Sequence, residues 1–538
     1  MPSESGAKRA ISRLLVAAYY IAQPVLKPLL RATVGRNDGI WRKLTAMRDH
    51  LIAGPTPDAG LGEPLPRRLY ASAFFVIGPP CRFLLKQTLG KNQGLWRWMR
   101  HTHLRLLRGQ APVSWAPAGR SSRERATIRA LPFGVNLAGY LTSEKGTGEA
   151  ARSAAIMLKT ADVPLALNNI IDSGSANREA PPSDLSRENP FAFNVAWVNG
   201  DQAANFAFHK GRQYFEGRYN IGAWAWELTD FPQDWIPRFL FFDEIWVPSR
   251  FAREALSRVA PIPVTAIPHA IQALEHDDKP VSRSQFGLTE EDFVFLFMFD
   301  YHSVFERKNP LGLIKAFRRA FAPQESAALV IKSTHANRQA LSIMRDAAAG
   351  SRTSIIDAVV PRNEVGALYQ SCDCYVSLHR SEGFGLTLAE AMAAGRPVIG
   401  TAYGGNLDFM TPENSYLVRH TLVTLKQGYP PYEAGSVWAE PDIAHAAELM
   451  RRVYEKRDEA RGIGEKARGD IAKMLHPTVV GEVMRERLIT IAREYGISVP
   501  DSEEMEPQVA PSTQVELSSE DWVPGTTGHA SSITPPAS

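Results

Sequence analysis

Cysteine is nearly missing from this chain. Three residues in 538, Cys81, Cys372 and Cys374, cannot build a disulfide framework, which excludes the small disulfide-stapled secreted folds. The alternation in SCDCYVSL places Cys372 and Cys374 on one face of a strand, so these thiols read as buried packing residues in a reducing compartment. Long apolar runs are missing too. No stretch reaches the roughly 18 apolar residues of a spanning helix, and no signal-peptide pattern opens the sequence. A cytoplasmic protein is the expectation. The last segment, 500–538, has seven acids, no lysine or arginine and almost no apolar periodicity, the composition of a disordered acidic tail.

What is present divides unevenly. At 538 residues the chain exceeds one hydrophobic core, so two or more domains are expected. The net charge of +4 hides a basic block: residues 1–130 carry 22 lysines and arginines against 6 acids, and 131–499 carry 39 against 44. The basic block contains two repeats, 13–51 and 68–106, offset by 55 residues. Pro24 matches Pro79, Gly35 matches Gly90, Trp41 matches Trp96 and Arg42 matches Arg97. Each copy reads as an aromatic, proline-interrupted apolar segment, a glycine turn and a helix pairing Trp with cations. Two readings stay open: a unit lying on an anionic membrane surface, or a duplicated helical hairpin packed on protein. No nucleic-acid motif accompanies the charge, and nucleic acid is not an expected partner.

From residue 131 the texture changes. Apolar runs such as NVAWVNG, DEIWVPS, FVFLFMFD, AALVIKS, CYVSLHR and RPVIGT alternate with helix-like stretches such as GEAARSAAIMLKTA and NPLGLIKAFRRAF. That alternation predicts an α/β protein with parallel sheets covered on both faces. The polar stretch beginning HAIQALEHDDKP interrupts it once. The expected domains are a helical extension at 1–130, Rossmann-like domains at 131–275 and 285–478, a helix at 479–499 and the tail.

The stretch SLHRSEGFGLTLAEAMAAGRPVIGT, residues 377–401, holds Glu382 and Glu390 on either side of a glycine turn. A buried strand ends near Leu378, and a helix begins near Leu386 or Thr387. Ligands of open parallel sheets bind outside the carboxyl ends of the strands. Free amides at that helix start suit an anion, and glycines admit backbone close to a ligand. Two carboxylates for hydroxyl groups, flanking a place for phosphate, describe a nucleotide sugar. In FMFDYHSVFERKNPLGL, Arg307 and Lys308 are expected to open a helix, where their charge opposes the dipole and calls for a compensating anion such as a diphosphate.

Glu-x7-Glu around GFGLTLA, followed by EAMAAGRPVIGT, resembles the retaining glycosyltransferases of family 4, or group 1, which have the GT-B fold of two facing Rossmann-like domains. The resemblance implies that Glu382 contacts the transferred sugar, that Gly383, Phe384, Gly385, Leu386 and Thr387 line sugar and diphosphate, and that Glu390 binds ribose. It implies catalysis by Glu382, Lys308 and Arg307 without metal or other cofactor. The family usually places an arginine where this sequence has Ser303, and Arg307 is its expected substitute. Gly146 and Gly148 resemble the family's first loop, which closes over donor and acceptor. Trp226 and Glu227 stand where many relatives carry a cleft histidine; aromatics beside a carboxylate suit a sugar, although Trp in such a strand is more often core. Asp201, at the end of a neighbouring strand, and His379, beside Glu382, complete the candidate set. The implied partners are a nucleotide sugar and a glycan or lipid-linked acceptor, as in cell-surface polysaccharide synthesis. The competing class is a catalytically silent GT-B scaffold at a membrane.

Overall fold

Strands covered on both faces lose the period-two alternation and become continuous apolar runs, and the runs named above are strands in the computed structural model. It describes residues 121–500 apart from short internal stretches, the longest being 273–282. The repeats at 13–51 and 68–106, with Cys81, and the tail from 501 lie outside the described residues.

The first sheet contains β1 (Val135–Gly139), β2 (Leu165–Asn169), β3 (Phe193–Trp197), β4 (Tyr219–Ala223), β5 (Glu244–Val247) and β6 (Val264–Ala266), in the order β2-β1-β3-β4-β5-β6 and all parallel. Its register is marked by asparagine. Asn136, Asn194 and Asn220 stand opposite one another on β1, β3 and β4. Asn136 Nδ2 donates to Asn194 Oδ1 at 3.0 Å, and Asn194 Nδ2 donates to Asn220 Oδ1 at 2.8 Å. A one-residue slip of any of these strands would leave buried amides unpaired as well as turn its apolar side chains to the wrong face.

The second sheet is built from β7 (Phe293–Asp300), β8 (Ala327–Thr334), β9 (Thr353–Asp357), β10 (Cys374–Ser377), β11 (Val398–Thr401) and β12 (Tyr416–Val418). Read from its β9 edge the order is β9-β8-β7-β10-β11-β12, the doubly wound arrangement whose direction reverses between β7 and β10. An antiparallel hairpin follows, β13 (His420–Thr424) with β14 (Val437–Pro441). Cys374 lies on β10, but Cys372 precedes that strand rather than sharing a face with it. Both thiols are free and buried, and burial pushes Cys372 up to about 12.

Both sheets belong to one compact unit. The helix Arg457–Leu475 places Ala460, Ala467, Ile471 and Leu475 in the core of the second half. After Pro477 the chain crosses back. The helix Pro477–Tyr495 buries Val480, Met484, Leu488, Ile491 and Tyr495, spaced to share one face, in the core of the first half. Arg487 on this helix clamps Glu244 of β5 with two hydrogen bonds, Nε to Oε1 at 2.9 Å and Nη2 to Oε2 at 2.7 Å. The fully buried Glu244 also accepts from Tyr219, Trp246 and Thr265. The short helix Ser122–Arg129, opened by a Ser121–Glu124 capping box, adds Ile128 to the same core. Among the described residues no helix is long and apolar enough to cross a membrane.

Candidate active site at the switch point of the second sheet

The loops leaving β7 and β10 flank the reversal of strand order, where open α/β sheets bind ligands. The β7 loop is a one-turn helix, Phe305–Lys308, bracketed by left-handed backbone at Val304 (φ 64°) and Asn309 (φ 55°). Such conformations cost non-glycine residues roughly 1–3 kcal/mol each and persist only where the surroundings enforce them. Asn309 is held from both sides: Nδ2 donates to Leu378 O at 2.9 Å, and Oδ1 caps the next helix, Pro310–Ala320, at the Gly312 amide. Arg307 and Lys308 therefore close one helical turn and precede the helix they were expected to open.

The anion they face belongs to the chain. Lys308 Nζ donates to Glu382 Oε1 at 2.5 Å, and Arg307 Nη1 lies 3.2 Å from Glu382 Oε2 while donating to Ser381 O at 2.7 Å. Arg307 and Glu382 are both buried. Burial pushes the Glu382 carboxyl upward, but Lys308 and then Arg307 outweigh it and hold the group at about 2. The compensating anion that the sequence reading assigned to a diphosphate is, in this structure, Glu382.

The glycine turn leads into the helix Leu386–Ala393. Gly385 is its N-cap with φ 94°, a left-handed conformation that favours glycine, and no side chain caps the helix start. Gly383 lies against the other half: a Cβ there would come 2.7 Å from the Trp226 carbonyl oxygen. Phe384 is buried, and Leu386 and Thr387 are half-buried on the first turn. Glu390, one turn further, is buried and accepts a hydrogen bond from the Tyr369 hydroxyl at 2.9 Å.

Residues of the first half close over this turn. Ser249 Oγ donates to Gly383 O at 2.6 Å, and the Ser381 hydroxyl donates to Glu227 O. Arg250 grips Asp408 through its amide (2.7 Å) and Nε (2.9 Å). Glu227 accepts from the hydroxyl of Tyr432, in the loop of the β13–β14 hairpin, at 3.1 Å. Sequence reasoning missed Tyr432 and Ser249. It also missed His269, whose ring packs edge-on against Phe384 at 5.0 Å. Nothing local in the sequence pairs them with Glu382; only the meeting of the two halves does.

Other expected site residues take different positions. Trp226 is not a platform for sugar: it is buried among Phe231, Trp235 and Tyr432, with its indole N–H donating to Asp230 O at 3.0 Å. His379 is fully buried and wholly engaged. Nδ1 takes the Ser377 hydroxyl at 3.1 Å, and Nε2 faces Tyr403 O and Asn406 Oδ1 at 3.1 and 3.2 Å. It shapes the turn from beneath. Asp201 is exposed after β3, paired with the neighbouring Gln202 amide. Gly146 begins the helix Gly146–Thr160, and Gly148 is buried in its first turn.

The family model described as glycosyl transferases group 1 matches residues 278–470, the segment that holds both switch-point loops. Over 61 residues the chain is 43% identical to trehalose synthase of Pyrococcus horikoshii, covering 11% of this chain and 15% of that protein. Over 121 residues it is 31% identical to the GtfA subunit of UDP-N-acetylglucosamine-peptide N-acetylglucosaminyltransferase from Streptococcus pneumoniae, 22% of each. The chain thus matches less than a quarter of the length of these relatives. Among solved structures, HepE of Anabaena, determined in complex with UDP and glucose, matches all of its own chain to 66% of this one with a TM-score of 0.51 at 12% identity, a likeness of fold. Residues 278–470 thus match the group 1 glycosyltransferase model, and the two sheets form a GT-B fold.

Proposed function

We propose that the protein is a retaining glycosyltransferase that moves a sugar from a nucleotide diphosphate sugar to a glycan or lipid-linked acceptor, in cell-surface polysaccharide synthesis. One observation carries the reading: Lys308, Arg307 and Glu382 converge at the switch point beside a helix start that no side chain caps. A fold alone needs no such buried charge cluster, which weighs against a silent scaffold.

In this reading an incoming diphosphate takes over Lys308 and Arg307, helped by the amides at Leu386 and Thr387, and frees Glu382 for the hydroxyls of the sugar. Glu390 holds the ribose. The bond from the anomeric carbon to the phosphate oxygen breaks, the acceptor oxygen bonds to the same face, and the acceptor's proton passes to the departing diphosphate. The protein supplies preorganised positive charge and a water-excluding closure. No metal is required for the bond change, and the enzyme works at the cytoplasmic side of a membrane.

A thermal-shift screen of nucleotide sugars tests the proposal. A cognate donor at a hundred times its Kd should stabilise the fold by about 2.7 kcal/mol. Proton NMR of the product should then show the donor's anomeric configuration, with turnover unchanged in EDTA. A full panel without any shift sinks donor use, and an inverted product sinks retention.

A further inference from the structure

At the carboxyl edge of the second sheet, Asp300 ends β7 and pairs in register with Thr334 at the end of β8, which brings it beside His335. His302 sits two residues beyond Asp300 in the turn Tyr301–Ser303, and its amide donates to Asp300 Oδ1 at 2.8 Å. His335 has left-handed backbone, φ 61°, a conformation in which histidine is enriched though uncommon. Both imidazoles turn the same nitrogen to one carboxylate. His302 Nδ1 and His335 Nδ1 each lie 3.2 Å from Asp300 Oδ1, the rings are 4.5 Å apart, and the three ligand atoms fall within 4.8 Å of one another.

We propose that Asp300, His302 and His335 bind a first-row divalent cation of the zinc type. Metal–ligand bonds of about 2.0–2.2 Å at tetrahedral angles set neighbouring ligand atoms about 3.3 Å apart, close to the two distances to Asp300. Two imidazoles and one carboxylate suit zinc, cobalt, nickel or copper; magnesium and calcium take oxygen ligands. The His302 amide orients the carboxylate, the outer support that metal sites use. Burial lowers the Lys332 ammonium, and Asp300 and Asp357 nearby favour its charged form. The imidazoles are partly exposed, so the remaining coordination positions open to solvent. The site uses none of the residues given to sugar transfer and stands whether or not that reading does.

The full chain, stripped with chelator and dialysed, should take up Co2+ saturably at the micromolar level, with the visible spectrum of nitrogen-ligated cobalt. Zn2+ should compete and raise the unfolding temperature, and Mg2+ should do neither. His302→Ala, His335→Ala and Asp300→Asn should each weaken binding at least tenfold, while His445→Ala should not. His302 is more than half exposed, so its variant folds and serves as the decisive one. Absence of saturable Co2+ uptake overturns the proposal and leaves two imidazoles hydrogen-bonded to an aspartate. Uptake undiminished in His302→Ala and His335→Ala overturns it equally, assigning the metal to histidines elsewhere.

Discussion

Glu382 stays ionised because two cations, Lys308 and Arg307, reach it inside the protein, and these are the cations proposed to take the phosphate. Removing Lys308 removes charge that matters most as the sugar–phosphate bond breaks. Lys308→Ala should lower kcat about 10²–10³-fold. Glu390→Ala should instead raise KM, by the roughly 1.5–3 kcal/mol of a charge-assisted hydrogen bond. Steady-state kinetics of folded variants separate the two effects, and unchanged constants in both would remove the assignment. His379 gives a pH signature. Burial, the largest influence, lowers it from 6.5 to about 4, so the folded form holds it neutral where the unfolded chain begins to protonate. Its contribution is complete above pH 6.5 and lost as pH falls toward 4, about 3 kcal/mol in all. Its imidazole resonances should therefore stay unshifted between pH 7 and 5, and a midpoint near 6.5 would contradict the buried placement. Glu382 and Glu390 stand out in sequence because their spacing around the glycine turn is distinctive, and Lys308 because it follows the apolar run FVFLFMFD. Tyr432 and Ser249 do not, because they reach Glu227 and Gly383 only across 205 and 134 residues of chain.

Among elements, the buried strands are legible for the reason that makes them strands: with helices on both faces, FVFLFMFD and AALVIKS have no solvent side to mark. The β13–β14 hairpin is harder to read, since its exposed HTLVT strand resembles any polar loop edge. Nor does charge pattern reveal the partner of Arg487, because Glu244 lies 243 residues earlier in an apolar run. Arg487→Ala leaves that buried carboxylate without its cation, and breaking one side of a buried pair typically costs about 3–5 kcal/mol. The three neutral donors to Glu244 should keep the loss near the lower end. Urea unfolding of Arg487→Ala against wild type measures it, and a change under about 1 kcal/mol would show that the clamp contributes little.

For the whole molecule, the open question is what the basic repeats touch. If residues 1–130 attach the enzyme to an anionic membrane, about 1 kcal/mol per surface cation near the lipid makes a few of Lys27, Arg31, Arg42, Arg82, Lys86 and Arg97 sufficient. A chain beginning before Ser121 is the right comparison, since the Ser122–Arg129 helix buries Ile128 in the first half. It should keep nucleotide-sugar binding and lose sedimentation with anionic liposomes. The full chain should sediment at low salt and partly release at high salt, because these charges are screened over about 8–10 Å. Equal binding by both chains, or by neither, would favour a hairpin packed on protein.

The return of the helix Pro477–Tyr495 to the first half also bears on how the chain is made. The ribosome delivers β1 to β6 early, yet the helix that completes their core emerges more than two hundred residues later. At about 5–20 residues per second that interval is roughly 10–45 s. Throughout it the second half can assemble around its own core, while the apolar face of the helix Gly146–Thr160 waits uncovered. The half synthesised first is thus finished last. A nascent chain of this protein is most exposed to mispairing just before the helix Pro477–Tyr495 leaves the exit tunnel.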